Sequence, residues 1–167
     1  MRNHHLRALR AVVCGGLGAG TLDIFIAAWI GRVSPLVVMQ AIASGLLGSA
    51  ALRGGASAAA LGFLSQWILS LIIAAVYVLS AQRIRLLVRY WFVTGIAYGV
   101  VIFFVMNYVV MPLSAAPFGP HFTARSFVLN LLAMLLFGLI VAGFAQLFLG
   151  RRRDDARVQT PLSSKTS

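Results

Sequence analysis

Charged residues cut this chain into long apolar runs. Between Arg10 and Arg32 the only charge is Asp23, and the runs 54–82, 90–124 and 126–150 carry none at all in their interiors. A bilayer crossing takes about 20 apolar residues. Four segments meet that length, at about 11–30, 58–80, 90–111 and 127–149. Lipid offers no hydrogen-bond partner, so each segment must close its backbone bonds internally, which makes it a helix. The sequence therefore predicts an all-α integral membrane four-helix bundle.

A fifth apolar stretch, about 35–52, is treated differently. Four spans with a cytoplasmic N-terminus put Arg2, Arg7, Arg10, Arg83, Arg85, Arg89, Arg151, Arg152, Arg153, Arg157 and Lys165 inside, against Arg32, Arg53 and Arg125 outside. That split of eleven to three follows the positive-inside bias. Five spans would reverse it, to five inside and nine outside. Residues 35–52 are thus expected as a short outer-side helix between spans one and two, interfacial or re-entrant. Ser34 and Pro35 start it as a capping hydroxyl and a first-turn proline. Val38, Met39, Ile42 and Leu46 follow at helical spacing, and Gly45 and Gly48 weaken its second half. The organisation is then a basic cytoplasmic N-terminus (1–10), a membrane domain (11–149) and a basic, disordered cytoplasmic tail (150–167).

Composition agrees. The chain is 60% hydrophobic and only 10% charged, whereas a soluble domain is about 25% charged. The net charge of +11 would bring nucleic acid to mind, but the arginines gather at the ends of apolar runs and form no basic face with polar readers. Cys14, the single cysteine, has no partner for a disulfide and reads as a small apolar helix residue.

The stretch "CGGLGAGTLD", residues 14–23, resembles a phosphate-binding loop at first sight. A P-loop needs a lysine after its last glycine, and Thr21 follows Gly20 directly. A dinucleotide fingerprint needs glycine where Thr21 stands, and neither motif has a strand before it. No nucleotide and no cofactor is expected. Gly16, Gly20, Asp23 and Ala27 instead share one helix face, and Gly95 and Gly99 repeat the GxxxG device on span three. Small residues in a stripe let another helix approach closely. The two pairs lie at similar depth, so they are expected to pack on each other or on a second copy of the chain, as a homo-oligomer through the glycine faces.

Asp23 is the main candidate for chemistry. A charged Asp at mid-helix costs about 2.5–3.5 kcal/mol on insertion scales, and such residues face the bundle interior. Gln66, Asn107 and Asn130 lie in the outer halves of the other three spans, so a polar cluster or translocation site of Asp23, Gln66, Asn107 and Asn130 is expected. Amides also serve as interhelical glue worth about 0.6 kcal/mol each, so these residues equally fit a purely structural role. The histidines fall on opposite sides, no Cys/His/acid group has ligand spacing, and no nucleophile is paired with a base. Neither a metal site nor an enzyme is expected.

The segments "AGTLDIFIAAW", "SPLVVMQAIASGLLG" and "MNYVVMPLSAAP" resemble a family of small bacterial inner-membrane proteins with four spans, loosely grouped with acid-stress-associated membrane proteins. The resemblance covers roughly residues 15–145. It implies a bundle in the cytoplasmic membrane and brings no established activity or functional residues with it. The expected function is a non-enzymatic membrane protein with a structural, stress-related or partner-binding role. The alternative is a small solute or proton-coupled transporter in which Asp23 titrates.

Overall fold

The computed structural model describes residues 2–115 and 124–150, with side chains from residue 6 onward. The expected tail beyond Gly150 and residues 116–123 of the expected loop between the third and fourth long apolar segments therefore fall outside the described residues. The described chain is helical throughout: α1 (Arg2–Gly31), α2 (Pro35–Leu47), a 3-10 helix (Gly48–Arg53), α3 (Gly55–Arg83), α4 (Arg85–Arg89), α5 (Trp91–Val105), a π turn (Met106–Val110), α6 (Met111–Leu113) and α7 (Ala124–Gly150). Five helical segments are long and apolar enough to cross a membrane, the fifth being Pro35–Arg53.

The radial order of side chains is that of a protein solvated by lipid. Ala59, Gly62, Gln66, Ser70, Ala74, Tyr77 and Ala81 form the buried stripe of α3. Leu64, Ile68, Ile72, Val76 and Leu79 form its exposed stripe, each more than half accessible. Lipid tails are as apolar as leucine, so large side chains gain nothing by turning inward, and close contact between small residues holds the helices together. In water the same surface would be one continuous apolar patch.

Interhelical contacts fix the directions. Gly16 meets Leu71, Gly20 meets Ser70, and Asp23 meets Gln66, so α1 and α3 are antiparallel. Gly15 meets Phe144, while Ala28 and Leu129 share a cleft at the far end, so α7 also runs against α1. Gly95 meets Ala142 and Gly99 meets Met134, which sets α5 against α7. The helices thus run alternately up and down in the order α1, α3, α5, α7. Along the α1–α3 register, the end of α1 stands level with the start of α3.

That register bears on α2. Its N-cap Ser34 accepts from the Val37 amide, with Pro35 in the first turn. The α-helix stops at Gly48, which takes φ of 65°, and six residues of 3-10 helix carry the chain to α3. The expected apolar line is not the buried one. Gln40, Ala43 and Ser44 face inward, and Leu46 and Leu47 face outward. Gly62 is the reason: a Cβ there would collide with the Met39 carbonyl, so the α2 and α3 backbones are in contact and only small or hydrogen-bonded side chains fit beside the crossing. The Gln40 amide donates to the Gly55 carbonyl at 3.0 Å. The Ala115 amide, beyond α6, donates to the Gly45 carbonyl at 2.9 Å.

The third apolar segment is not one uniform helix. Five residues before α6 form a π turn, and Met111 donates its amide to Met106, five residues back. Pro112 explains it. A proline ring clashes with the carbonyl four residues earlier, here that of Tyr108, and has no N–H to give it. Widening the turn relieves the clash.

At the opposite end, Tyr77 and Tyr98 tie α3 to α5. The Tyr77 hydroxyl lies 2.9 Å from Thr94 Oγ1, and the Tyr98 hydroxyl donates to the Ile73 carbonyl at 2.7 Å. The basic turn holds the one-and-a-half-turn helix α4 between them.

Candidate functional site

Asp23 lies two-thirds of the way along α1 on the face that carries Gly16 and Gly20. Those glycines matter to its position. A Cβ at Gly16 would press on the Leu71 backbone, and one at Gly20 would collide with the Ser70 side chain. The two helices are therefore close enough for short polar bridges. Gln66 Nε2 donates to Asp23 Oδ2 at 2.9 Å. Two residues toward the N-terminus of α1, Trp67 Nε1 donates to Thr21 Oγ1 at 3.2 Å. Ser70, one helical turn beyond Gln66, is buried with its hydroxyl unbonded. Asp23 Oδ1 has no hydrogen-bond partner among the described residues, and the residue is only partly covered.

The four expected polar residues do not form one cluster. Asp23 and Gln66 are joined. Asn107 is buried within the π turn and donates Nδ2 to the Phe103 carbonyl of its own helix at 2.7 Å. Asn130 is half-buried near the start of α7, one residue beyond Leu129. No hydrogen bond among the described residues links Asn107 or Asn130 to the Asp23–Gln66 pair. The turn widened by Pro112 redirects Asn107 toward its own backbone, a feature that depth along an ideal helix cannot anticipate.

The glycine pairs also divide. Gly16 and Gly20 face α3. Gly95 and Gly99 face α7, where Gly138 stands opposite both of them and Cβ atoms on either side would strike backbone. They do not meet each other, because α7 lies between α1 and α5. All four are engaged within the chain.

Two features escaped the sequence reading. Thr21–Trp67 is a second side-chain bridge between α1 and α3. The other is a cleft of about 300 Å³ where α1 ends and α7 begins, lined by Ala28, Trp29, Ile30, Arg32, Val33, Arg125 and Leu129. The sequence carried a trace of it, since Arg32 and Arg125 are the charges flanking spans one and four, but nothing local indicates that they come together.

Chemically, the Asp23 site can hold or exchange a proton and can pin two helices. The Thr21 hydroxyl, two residues before Asp23, accepts from the Trp67 indole. No family model, no curated protein and no solved structure matches this chain.

Proposed function

We propose that this chain is a non-enzymatic four-span protein of the bacterial cytoplasmic membrane, with both termini cytoplasmic and a structural or partner-binding role. Four crossings, not five, are supported by the α1–α3 register: α2 and the 3-10 helix leave from the end of α1 and return to the start of α3 at the same level. The eleven-to-three arginine and lysine split points the same way. On this reading α2 is an outer-side cap lying against the first turns of α3.

The observation that carries the structural role is the Asp23–Gln66 hydrogen bond, made where the two backbones are nearly in contact. A carboxyl group held by an amide at a small-residue crossing is a pin between helices. A second reading, a proton-coupled carrier, is favoured by one feature of the same site: Oδ1 is unengaged and the residue is only partly covered.

One experiment separates them. The full chain is reconstituted in proteoliposomes with a trapped pH indicator, alongside Asp23→Asn and Asp23→Ala. The structural role expects no proton flux above that of empty liposomes. It also expects Asp23→Asn, which still accepts from Gln66, to keep its thermal stability, while Asp23→Ala loses about 1 kcal/mol. Proton flux in the wild type that Asp23→Asn abolishes would replace the pin by the carrier.

A further inference from the structure

Arg32 is the one non-glycine residue among the described ones with positive φ, at 51°. It ends α1 in a particular way. The Arg32 amide donates to the Trp29 carbonyl at 3.3 Å, and the Val33 amide donates to the Ala28 carbonyl at 3.1 Å. These two bonds make a Schellman cap, whose left-handed position is normally glycine. Here glycine is present but one place too early, at Gly31, and an arginine carries the strained conformation. Strain retained at one residue points to a use for that residue.

The use is visible in the cleft at the same point. Arg32 and Arg125 line it from opposite helices, over an apolar floor of Ala28, Ile30, Val33 and Leu129 and beside Trp29. Among the described residues, neither arginine is paired with a carboxylate. Asp23 is the only acid among the described residues, and the segment 116–123 that precedes α7 contains none. Two unpaired guanidinium groups above an apolar floor, next to an exposed tryptophan at a span end, match one kind of ligand in a bilayer. Guanidinium binds phosphate through paired N–H donors, tryptophan marks headgroup depth, and the apolar floor accepts the first carbons of an acyl chain.

We propose that this cleft binds the phosphate of an anionic membrane phospholipid, held between Arg32 and Arg125 with its acyl chains running along Leu129 and Ala28. The site rests on the membrane placement of α1 and α7. It is independent of what Asp23 does.

Trp29 reports on it directly. The full chain is reconstituted in phosphatidylcholine vesicles containing a fixed fraction of acyl-brominated lipid, either phosphatidylglycerol or phosphatidylcholine. The Trp29 signal is the difference between wild type and Trp29→Phe. Bound anionic lipid brings bromine to Trp29 beyond its bulk share. Each arginine near an anionic headgroup is worth about five-fold in local enrichment, so brominated phosphatidylglycerol quenches Trp29 several-fold more than brominated phosphatidylcholine. Arg32→Gly, which suits the left-handed cap and keeps the fold, removes most of that excess, as does Arg125→Gln. Arg53→Gln, at the same end of the bundle but outside the cleft, leaves it intact. Equal quenching by the two lipids overturns the proposal, as does an excess that survives Arg32→Gly or falls equally with Arg53→Gln. Loss of the excess on adding inorganic phosphate assigns the cleft to the free anion and overturns the lipid assignment.

Discussion

At Arg32 the left-handed conformation costs an ordinary residue on the order of 1–2 kcal/mol relative to glycine. Arg32→Gly is therefore expected to raise the stability of the folded chain by about 1 kcal/mol, read as a higher midpoint of thermal unfolding in neutral detergent. Glycine's greater freedom in the unfolded chain takes back part of the gain, so a lower midpoint would mean that the arginine makes contacts worth more than the strain. Ser70 presents the reverse case. Its hydroxyl is buried against Gly20 with no partner, and an unsatisfied buried polar atom costs about 1–3 kcal/mol. Ser70→Ala removes the oxygen and leaves the close approach to Gly20 intact. The expected outcome is a gain on the order of 1 kcal/mol in the same measurement, and a loss would place a bound water or another partner at that hydroxyl. Gly20→Ala, by contrast, drives a methyl into Ser70 and is expected to weaken the α1–α3 contact and with it the Asp23–Gln66 bond.

Helix contacts depend on where backbones cross, and the sequence held only half of that information. The small stripe Ala59, Gly62, Gln66, Ser70, Tyr77 could be read from spacing alone, because a helix repeats its faces every three to four residues, and it is the buried stripe of α3. The GxxxG pairs could be read as close-packing faces for the same reason. What they pack on could not, because periodicity within a segment says nothing about its neighbour: Gly138, which fills the gap between Gly95 and Gly99, has no GxxxG partner of its own. Gly62 makes the closest crossing of all, against Met39, and it too lacks that spacing. The π turn was latent in "MNYVVMP", since Pro112 stands four residues after Tyr108, yet a proline near the end of a span reads equally well as a simple stop. Two predictions follow from the crossings. Gly99→Leu forces α5 away from Met134, Leu135 and Gly138 and is expected to cost several kcal/mol, read as loss of folded protein on detergent size-exclusion chromatography. Gly62→Ala acts only where α2 lies on α3. It should release α2, with amide hydrogen exchange rising across 35–47 while the four long helices stay protected. Exchange that rises along α3 as well would mean that α2 is needed to hold the bundle together.

For the molecule as a whole, the alternation of α1, α3, α5 and α7 and the return of α2 to its starting level are consequences of the same antiparallel register, so one topology experiment tests both. Cys14 faces outward from α1 and is replaced first, by Ala, to give a background without thiols. Single cysteines then go at Ser34, Ser49, Ser57 and Gln82, all of them exposed ends or turns. A four-span chain puts the first three on one side of the membrane, before α2, in the 3-10 helix and at the start of α3, and puts Gln82 on the other. In intact cells a membrane-impermeant maleimide should label Ser34→Cys, Ser49→Cys and Ser57→Cys and leave Gln82→Cys unlabelled until the membrane is broken. A five-span chain separates Ser34 from Ser57, because α2 would then carry the chain across, and it places Gln82 outside. The charge pattern weighs against that arrangement: it would translocate the Arg83, Arg85 and Arg89 cluster together with the arginine-rich tail, against the bias that sets orientation in most membrane proteins. Labelling of Ser34→Cys without Ser57→Cys would overturn the up-and-down order of the bundle.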